Sequence, residues 1–240
     1  MVETVNRRIL LWDIDGTLIR SAKAGGYKVY TIPVLEEIFG TAGRLADMHV
    51  SGMTDLQIVF EALGDEGISQ EEILARAEVL VSRLTEEARR VTGNGAKFFE
   101  VIPGVRDTLE ALARHPRYES ALVTGNIKPM AHLKMELVGL DQFFTLPGAF
   151  GDESHKRRDL PARAAERIRK HLQVDLAAEQ FIVIGDTPND IDCGRHFGAR
   201  TVAVGTGRFY STEEILKHKP DRFLLDLSDT DLVISTLDEL

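Results

Sequence analysis

Asp13 and Asp15 lie one residue apart in the run Asp13-Ile14-Asp15-Gly16-Thr17-Leu18, directly after the apolar stretch Arg8–Trp12. On extended backbone, positions two apart project to the same side, so the two carboxyl groups crowd each other. Crowded carboxylates repel, and a cation between them relieves the repulsion. A hard cation with oxygen ligands is therefore expected, and magnesium suits a site that must also hold a phosphate. Gly16 permits a sharp departure from the strand, and the N–H groups after it can cradle an anion. Asp and Gly are also ordinary at strand-to-turn junctions, so this segment alone leaves both readings open.

Three further stretches bear on that choice. Residues 181–184, Phe-Ile-Val-Ile, run into Gly185-Asp186-Thr187-Pro188-Asn189-Asp190, with Pro188 suited to opening a helix. Thr187 or Asp190 could serve simply as a helix N-cap, which accounts for one acidic residue and leaves Asp186 unexplained. Thr124-Gly125-Asn126 follows the strand-like run Ser120 to Val123, and its hydroxyl and amide can donate hydrogen bonds to a phosphate, although an isolated tripeptide of this kind is common turn chemistry. Lys156-Arg157-Arg158 precedes a helix expected from Leu160; alone, such a triplet is a solvated patch.

The elements that must position these residues alternate along the chain. Strand-like runs at residues 8–12, 120–124, 181–184, 201–204 and 223–225 are separated by helical patterns at 103–114, 128–138, 160–171 and 190–197. Such alternation implies an α/β fold with a parallel sheet covered on both faces. Ligands bind at the carboxyl ends of strands in these folds, and Asp13, Thr124 and Asp186 fall there. Residues 27–99 break the alternation, with helical stretches at 34–39, 54–63 and 70–91 and no convincing strand. They read as a small inserted domain, with hinges at Gly25-Gly26 and Val101-Ile102-Pro103-Gly104.

In this order and spacing, the four stretches resemble the motifs of the haloacid dehalogenase-like superfamily: Asp-x-Asp-x-Thr, a Thr or Ser at a second strand, a Lys or Arg, and a terminal Gly-Asp-x-x-x-Asp. The resemblance covers essentially the whole chain. It implies a Rossmann-like core of residues 1–20 and 101–240, with residues 21–100 inserted as an all-helical cap. Asp13 would attack phosphorus and form an aspartyl-phosphate intermediate. Asp15 would protonate the leaving oxygen and then deprotonate water. Thr124 and a basic residue would hold the phosphoryl oxygens, with Asn126 close by. Magnesium would be bound by the Asp13 side chain, the Asp15 carbonyl and Asp186, with Asp190 in support.

Many relatives have a Lys followed by Pro where this chain has Lys156-Arg157-Arg158-Asp159-Leu160. The spacing to the first apolar residue of the helix resembles relatives that use an Arg three positions earlier, which favours Arg157 as the phosphate-binding cation, with Lys156 the alternative and Arg158 facing solvent. Dehalogenases of the superfamily lack an acid at the position of Asp15, which favours phosphate chemistry. The implied activity is a phosphatase for a small phosphorylated metabolite, closest in character to phosphoglycolate phosphatases. A phosphosugar mutase of the β-phosphoglucomutase type is the alternative. A non-catalytic binding protein should have lost Asp13, Asp15 or Asp186, and all three are present.

Composition agrees with these expectations. The chain has 240 residues, 43% hydrophobic and 28% charged, enough for one large domain or a core with an insert. Its formal charge of −9 argues against a general nucleic-acid binder. Its apolar runs are too short to span a bilayer, and with no leader-like opening the expected location is cytoplasmic. One cysteine, Cys193, excludes a disulfide framework and reads as a buried, inert thiol. Trp12 should point to the opposite face of its strand from Asp13, into the core. Ser51-Gly52-Met53-Thr54-Asp55 resembles a loop of phosphoglycolate phosphatase-like proteins and reads equally as a substrate-facing loop or as a helix start capped by Thr54.

Overall fold

Apolar runs without alternation, such as Ile9-Leu10-Leu11-Trp12, need cover on both faces, and the fold supplies it. The computed structural model describes residues 7–22, 26–93 and 98–240. Seven strands occur among them: β1 (Arg8–Trp12), β2 (Ile19–Ser21), β3 (Phe99–Val101), β4 (Tyr118–Leu122), β5 (Phe181–Gly185), β6 (Arg200–Val204) and β7 (Arg222–Leu224). Five form one wholly parallel sheet in the order β4-β1-β5-β6-β7. Leu11 sits opposite Ala121 and Val183, and Trp12 opposite Leu122 and Ile184.

The described helices are α1 (Lys28–Phe39), α2 (Asp55–Gly64), α3 (Gln70–Ala75), α4 (Ala77–Thr92), α5 (Val105–Arg114), α6 (Lys128–Val138), α7 (Leu160–Leu172), α8 (Pro188–Phe197), α9 (Thr212–Lys217) and α10 (Thr230–Asp238). On one face of the sheet, Leu10, Trp12 and Ile184 pack with Leu109 of α5, Met135 of α6 and Leu237 of α10. On the other, Ile9, Leu11 and Val183 pack with Ala164 and Ile168 of α7 and Cys193 of α8. Each fully buried Leu or Ile contributes about 1.5–3 kcal/mol, so the interior strand β1 is fixed by its two apolar faces. Trp12 lies in the core as expected, its indole N–H donating to Ser120 Oγ at 3.2 Å. No helix among the described residues is long and apolar enough to cross a membrane.

Helices α1 to α4 fill the long connection and build a second core from Tyr30, Leu35, Ile58, Leu63 and Leu80, closed by Ile127 and Leu133 at α6. The segment is helical as expected, with differences that have physical causes. α1 begins six residues before the expected Val34 and contains Pro33, a residue that normally marks a boundary. The expected helix over 70–91 is two helices, broken at Arg76, whose backbone (φ −108°, ψ 9°) leaves the helical region. β4 lies two residues earlier than expected. β2 and β3 were outside the sequence reading because three residues are too few to show a strand period; they pair antiparallel, Ile19 with Val101 and Ser21 with Phe99. Of the expected hinges, Gly25 lies outside the described residues, and Val101 is the last residue of β3.

Asp55 ties this helical segment to the core. Its backbone N–H donates to Gly125 O at 2.7 Å, and its Oδ2 accepts the Ile127 N–H at 2.8 Å. Burial pushes its carboxyl group up to about 7, more strongly than the Ile127 bond and Lys134 pull it down. A carboxyl raised on folding favours the folded state below its ordinary value of 3.8, and that contribution is lost as pH rises through about 7. Unfolding in urea should therefore show wild type losing stability relative to Asp55→Asn across this window; a pH-independent difference between the two would contradict the assignment.

Gly104 closes the connection into α5 with φ +81°, and a Cβ there would lie 2.2 Å from the Leu227 carbonyl oxygen. Gly104→Ala should cost at least about 2 kcal/mol, from the left-handed backbone and an immovable main-chain neighbour. Denaturant unfolding within about 0.5 kcal/mol of wild type would show that the α5 start relaxes freely.

Candidate active site

The ladder hydrogen bonds run past the end of β1: Asp13 N donates to Ile184 O at 3.0 Å, and Val123 N to Trp12 O at 2.8 Å. Asp13, the loop after β4 and Asp186 thus meet at the carboxyl ends of three neighbouring strands. Gly16 leaves the strand with φ +92°, and a Cβ on it would fall 2.3 Å from Asp186 Oδ2, so no side chain fits between the two acidic motifs. Thr17 Oγ1 donates to Asp186 Oδ1 at 3.0 Å.

Asp13, Asp186 and Asp190 are buried, with carboxylate oxygens within 4.8 Å of one another. Arg157 Nη2 donates to Asp13 Oδ1 at 2.8 Å and also to Asp190 Oδ1. Burial raises the Asp13 carboxyl to about 6 against the pull of Arg157, with Asp190 and Asp15 adding to the rise. Asp186 is held well above its usual range by burial and by Asp13 and Asp190. Burial alone would lower the Arg157 guanidinium, but Asp190 and Asp13 outweigh it and keep it firmly charged. Asp190 caps α8, as one sequence reading expected: its Oδ2 accepts from Thr187 N at 3.0 Å and Thr187 Oγ1 at 2.7 Å, while its Oδ1 faces Arg157.

The basic triplet divides. Arg157 is buried, Lys156 is exposed, and Arg158 is exposed and pairs with Asp192 at 2.5 and 2.8 Å. Thr124 is fully buried, and its Oγ1 accepts from Asn126 Nδ2 at 2.8 Å. Asp15 turns away from the acidic cluster; its Oδ2 accepts from Asn126 Nδ2 at 2.8 Å and from Lys134 Nζ at 2.6 Å. Lys134 was not singled out from sequence. Its signal there is a lone charge within Met130-Ala131-His132-Leu133-Lys134-Met135, on a helix whose Met130, Ala131, Leu133 and Met135 are buried.

The Ser51–Asp55 loop is a helix start capped by Thr54, as one of its two readings expected, and it also touches the core. Thr54 Oγ1 accepts from Gln57 N at 3.1 Å and caps α2, and Gly52 O accepts from Arg157 Nη1 at 3.3 Å and Asn189 Nδ2 at 2.7 Å. A cavity of about 500 Å³ opens above Asp13, with Asp15, Thr124, Asn126, Lys134 and Arg157 in its wall. Tyr30 and Met53 of the helical segment line it from the other side. The Cys193 thiol, pushed up to about 12 by burial, donates to Asp190 O at 3.3 Å and stays inert.

The residues present fit a magnesium ion. Of the three buried carboxylates, Arg157 pairs with Asp13 and Asp190, while Asp186 accepts the Thr17 hydroxyl, which leaves hard oxygen ligands in need of positive charge. The Asp15 carboxyl stands outside that cluster; the resemblance assigns its main-chain carbonyl instead.

A family model described as haloacid dehalogenase-like hydrolase matches residues 10–204. A pyrophosphatase PpaX of Halalkalibacterium halodurans is 30% identical over 139 residues, 55% of this chain and 61% of that protein, so under two-thirds of that relative is spanned. A phosphoglycolate phosphatase of Pectobacterium atrosepticum is 26% identical over 229 residues, 95% of this chain and 93% of that one. Among solved structures, a β-phosphoglucomutase of Clostridium difficile superposes with a TM-score of 0.68 at 15% identity, covering 97% of this chain and 98% of that one, which bears on the fold alone. With the motif residues gathered at the carboxyl ends of neighbouring strands and the family model spanning most of the chain, this protein belongs to the haloacid dehalogenase-like hydrolases.

Proposed function

We propose that the chain is a magnesium-dependent phosphatase that hydrolyses a small, phosphoglycolate-like phosphomonoester through an aspartyl-phosphate on Asp13. The observation that carries this reading is the placement of Asp13: a buried carboxylate at the end of the interior strand β1, held by Arg157 at 2.8 Å and opening into the 500 Å³ cavity. The named relatives, a phosphoglycolate phosphatase and a pyrophosphatase, support a phosphorylated substrate.

In the proposed reaction Asp13 attacks phosphorus and Asp15 gives a proton to the departing oxygen. Water then cleaves the acyl phosphate, handing its proton to Asp15. Thr124, Asn126 and Arg157 hold phosphoryl oxygens, which disperses charge where it develops. Arg157 is assigned over Lys156 because only Arg157 is buried against Asp13. Asp13, the Asp15 carbonyl and Asp186 would hold magnesium, with Asp190 beside them, and the ion would neutralise charge on the transferring group. Residues 21–100 act as a cap over the core formed by 1–20 and 101–240, excluding water and choosing the leaving group.

Asp13→Asn keeps shape and removes the attacking charge, so phosphate release from 2-phosphoglycolate should fall about 10³-fold or more. Turnover within tenfold of wild type would remove Asp13 as the nucleophile. A chelator should abolish activity, magnesium should restore it, and calcium should inhibit because its larger, looser oxygen shell misplaces the nucleophile. Phosphate release that persists in excess chelator contradicts the metal site. Continuous release without any sugar bisphosphate separates this activity from a mutase, which would isomerise a sugar phosphate with little release.

A further inference from the structure

Lys134 is a buried lysine whose charge the proposed reaction has not used. Its side chain is 3% exposed, and an ammonium in that position is costly unless paired and hydrogen-bonded. The helix explains how it gets there: Met130, Ala131, Leu133 and Met135 bury α6 in the core, and the lysine stem runs out between them, with Nζ 5.4 Å from the Phe99 ring centroid. Two donors of its ammonium are committed, to Asp15 Oδ2 and to Asn126 Oδ1, both at 2.6 Å. Asn126 closes the triangle by donating from Nδ2 to the same Asp15 oxygen at 2.8 Å and to Thr124 Oγ1 at 2.8 Å.

The triangle fixes two things. The Asp15 side chain is 46% exposed on the cavity side, where an untethered carboxyl would sample several rotamers. The Asn126 amide has its oxygen taken by Lys134, so its nitrogen must face Asp15 and Thr124.

We infer that Lys134 is a positioning residue for proton transfer: it holds the Asp15 carboxyl group against the leaving-group side of the cavity and fixes the Asn126 amide nitrogen toward Asp15 and Thr124. This rests on Asp15 being the acid–base group of the proposed phosphatase reaction. As the ester P–O bond breaks, its electron pair stays on the leaving oxygen, which takes the Asp15 proton. The carboxylate so formed lies against the Lys134 ammonium. In the second step the water oxygen bonds to phosphorus, the bond from phosphorus to Asp13 breaks, and the water proton goes to Asp15. One proton cycles through Asp15, and Lys134 keeps its own.

Proton donation matters most when the leaving group is poor, which gives a readout that mere structural support would not move. Wild type and Lys134→Met are compared by kcat/KM on phenyl phosphate, a poor leaving group, and 2,4-dinitrophenyl phosphate, a good one, with magnesium present. The ratio of the first to the second should fall about 30-fold or more in the variant, within the range a positioned acid contributes. Equal losses on both esters would overturn the positioning role. Lys134→Gln, which retains a neutral donor, is read in the same way if the methionine variant shows no cooperative melt, and Lys134→Arg should recover part of the ratio. Wild type that cleaves neither ester with magnesium would fail differently, by removing the phosphatase reading itself.

Discussion

Three carboxylates buried at the ends of two adjacent strands set the terms for everything around them. Each costs several kcal/mol to desolvate without a partner, and one guanidinium, that of Arg157, pairs with Asp13 and Asp190 while Asp186 accepts the Thr17 hydroxyl. Arg157 reaches them because it opens a 3₁₀ turn, residues Arg157–Asp159, ahead of α7. Successive residues in such a turn project about 120° apart, so only one of three consecutive basic residues can point inward. Ser154 holds that geometry, its hydroxyl donating to Asp159 at 2.6 Å and accepting from Lys156 N at 3.0 Å. Lys156 and Arg158 are left facing outward, and the selection among them is made by the turn.

The same guanidinium connects the helical segment to the chemistry. Arg157 donates to the Gly52 carbonyl as well as to the carboxylates, and Asn189 at the start of α8 donates to that carbonyl too. Asp55, three residues further on, grips the loop after β4 through Gly125 and Ile127. The wall contributed by residues 52–55 is therefore registered against the very side chains that would hold a phosphoryl group. Aromatic contacts fasten the far side, where His49 meets Phe209 and Tyr210 edge-on at 5.0 and 5.7 Å.

Much of this was legible in the sequence because the relevant signals are local. The strand ends at Asp13 and Gly185 follow from short apolar runs bounded by Asp and Gly, and the parallel sheet follows from their alternation with helices. Arg157 was favoured over Lys156 through the resemblance to relatives with an Arg three positions before the first apolar residue of the helix, and it is the residue of the triplet that is buried. What escaped depends on contacts distant in sequence. Lys134 meets Asp15 across 119 positions, and no local pattern separates it from a lysine at a helix surface. The helix α1 carries Pro33 internally, so its start at Lys28 lies on the far side of a residue that ordinarily marks a boundary. The β2–β3 pair is made of two three-residue pieces whose pairing exists only in three dimensions.

That small ribbon has a consequence for how such a protein can change over time. Because Ile19 lies across from Val101 and Ser21 across from Phe99, the two points where the chain leaves and rejoins the sheet are neighbours. Whatever is spliced between them need only start and finish at the same place, and extra length there adds little closure entropy. The strand ends that carry Asp13, Thr124 and Asp186 are set by β1, β4 and β5, none of which lies within the spliced stretch. The segment between β2 and β3 can therefore vary in length at this junction while Asp13, Thr124 and Asp186 keep their relative positions, much as a tool handle accepts different heads.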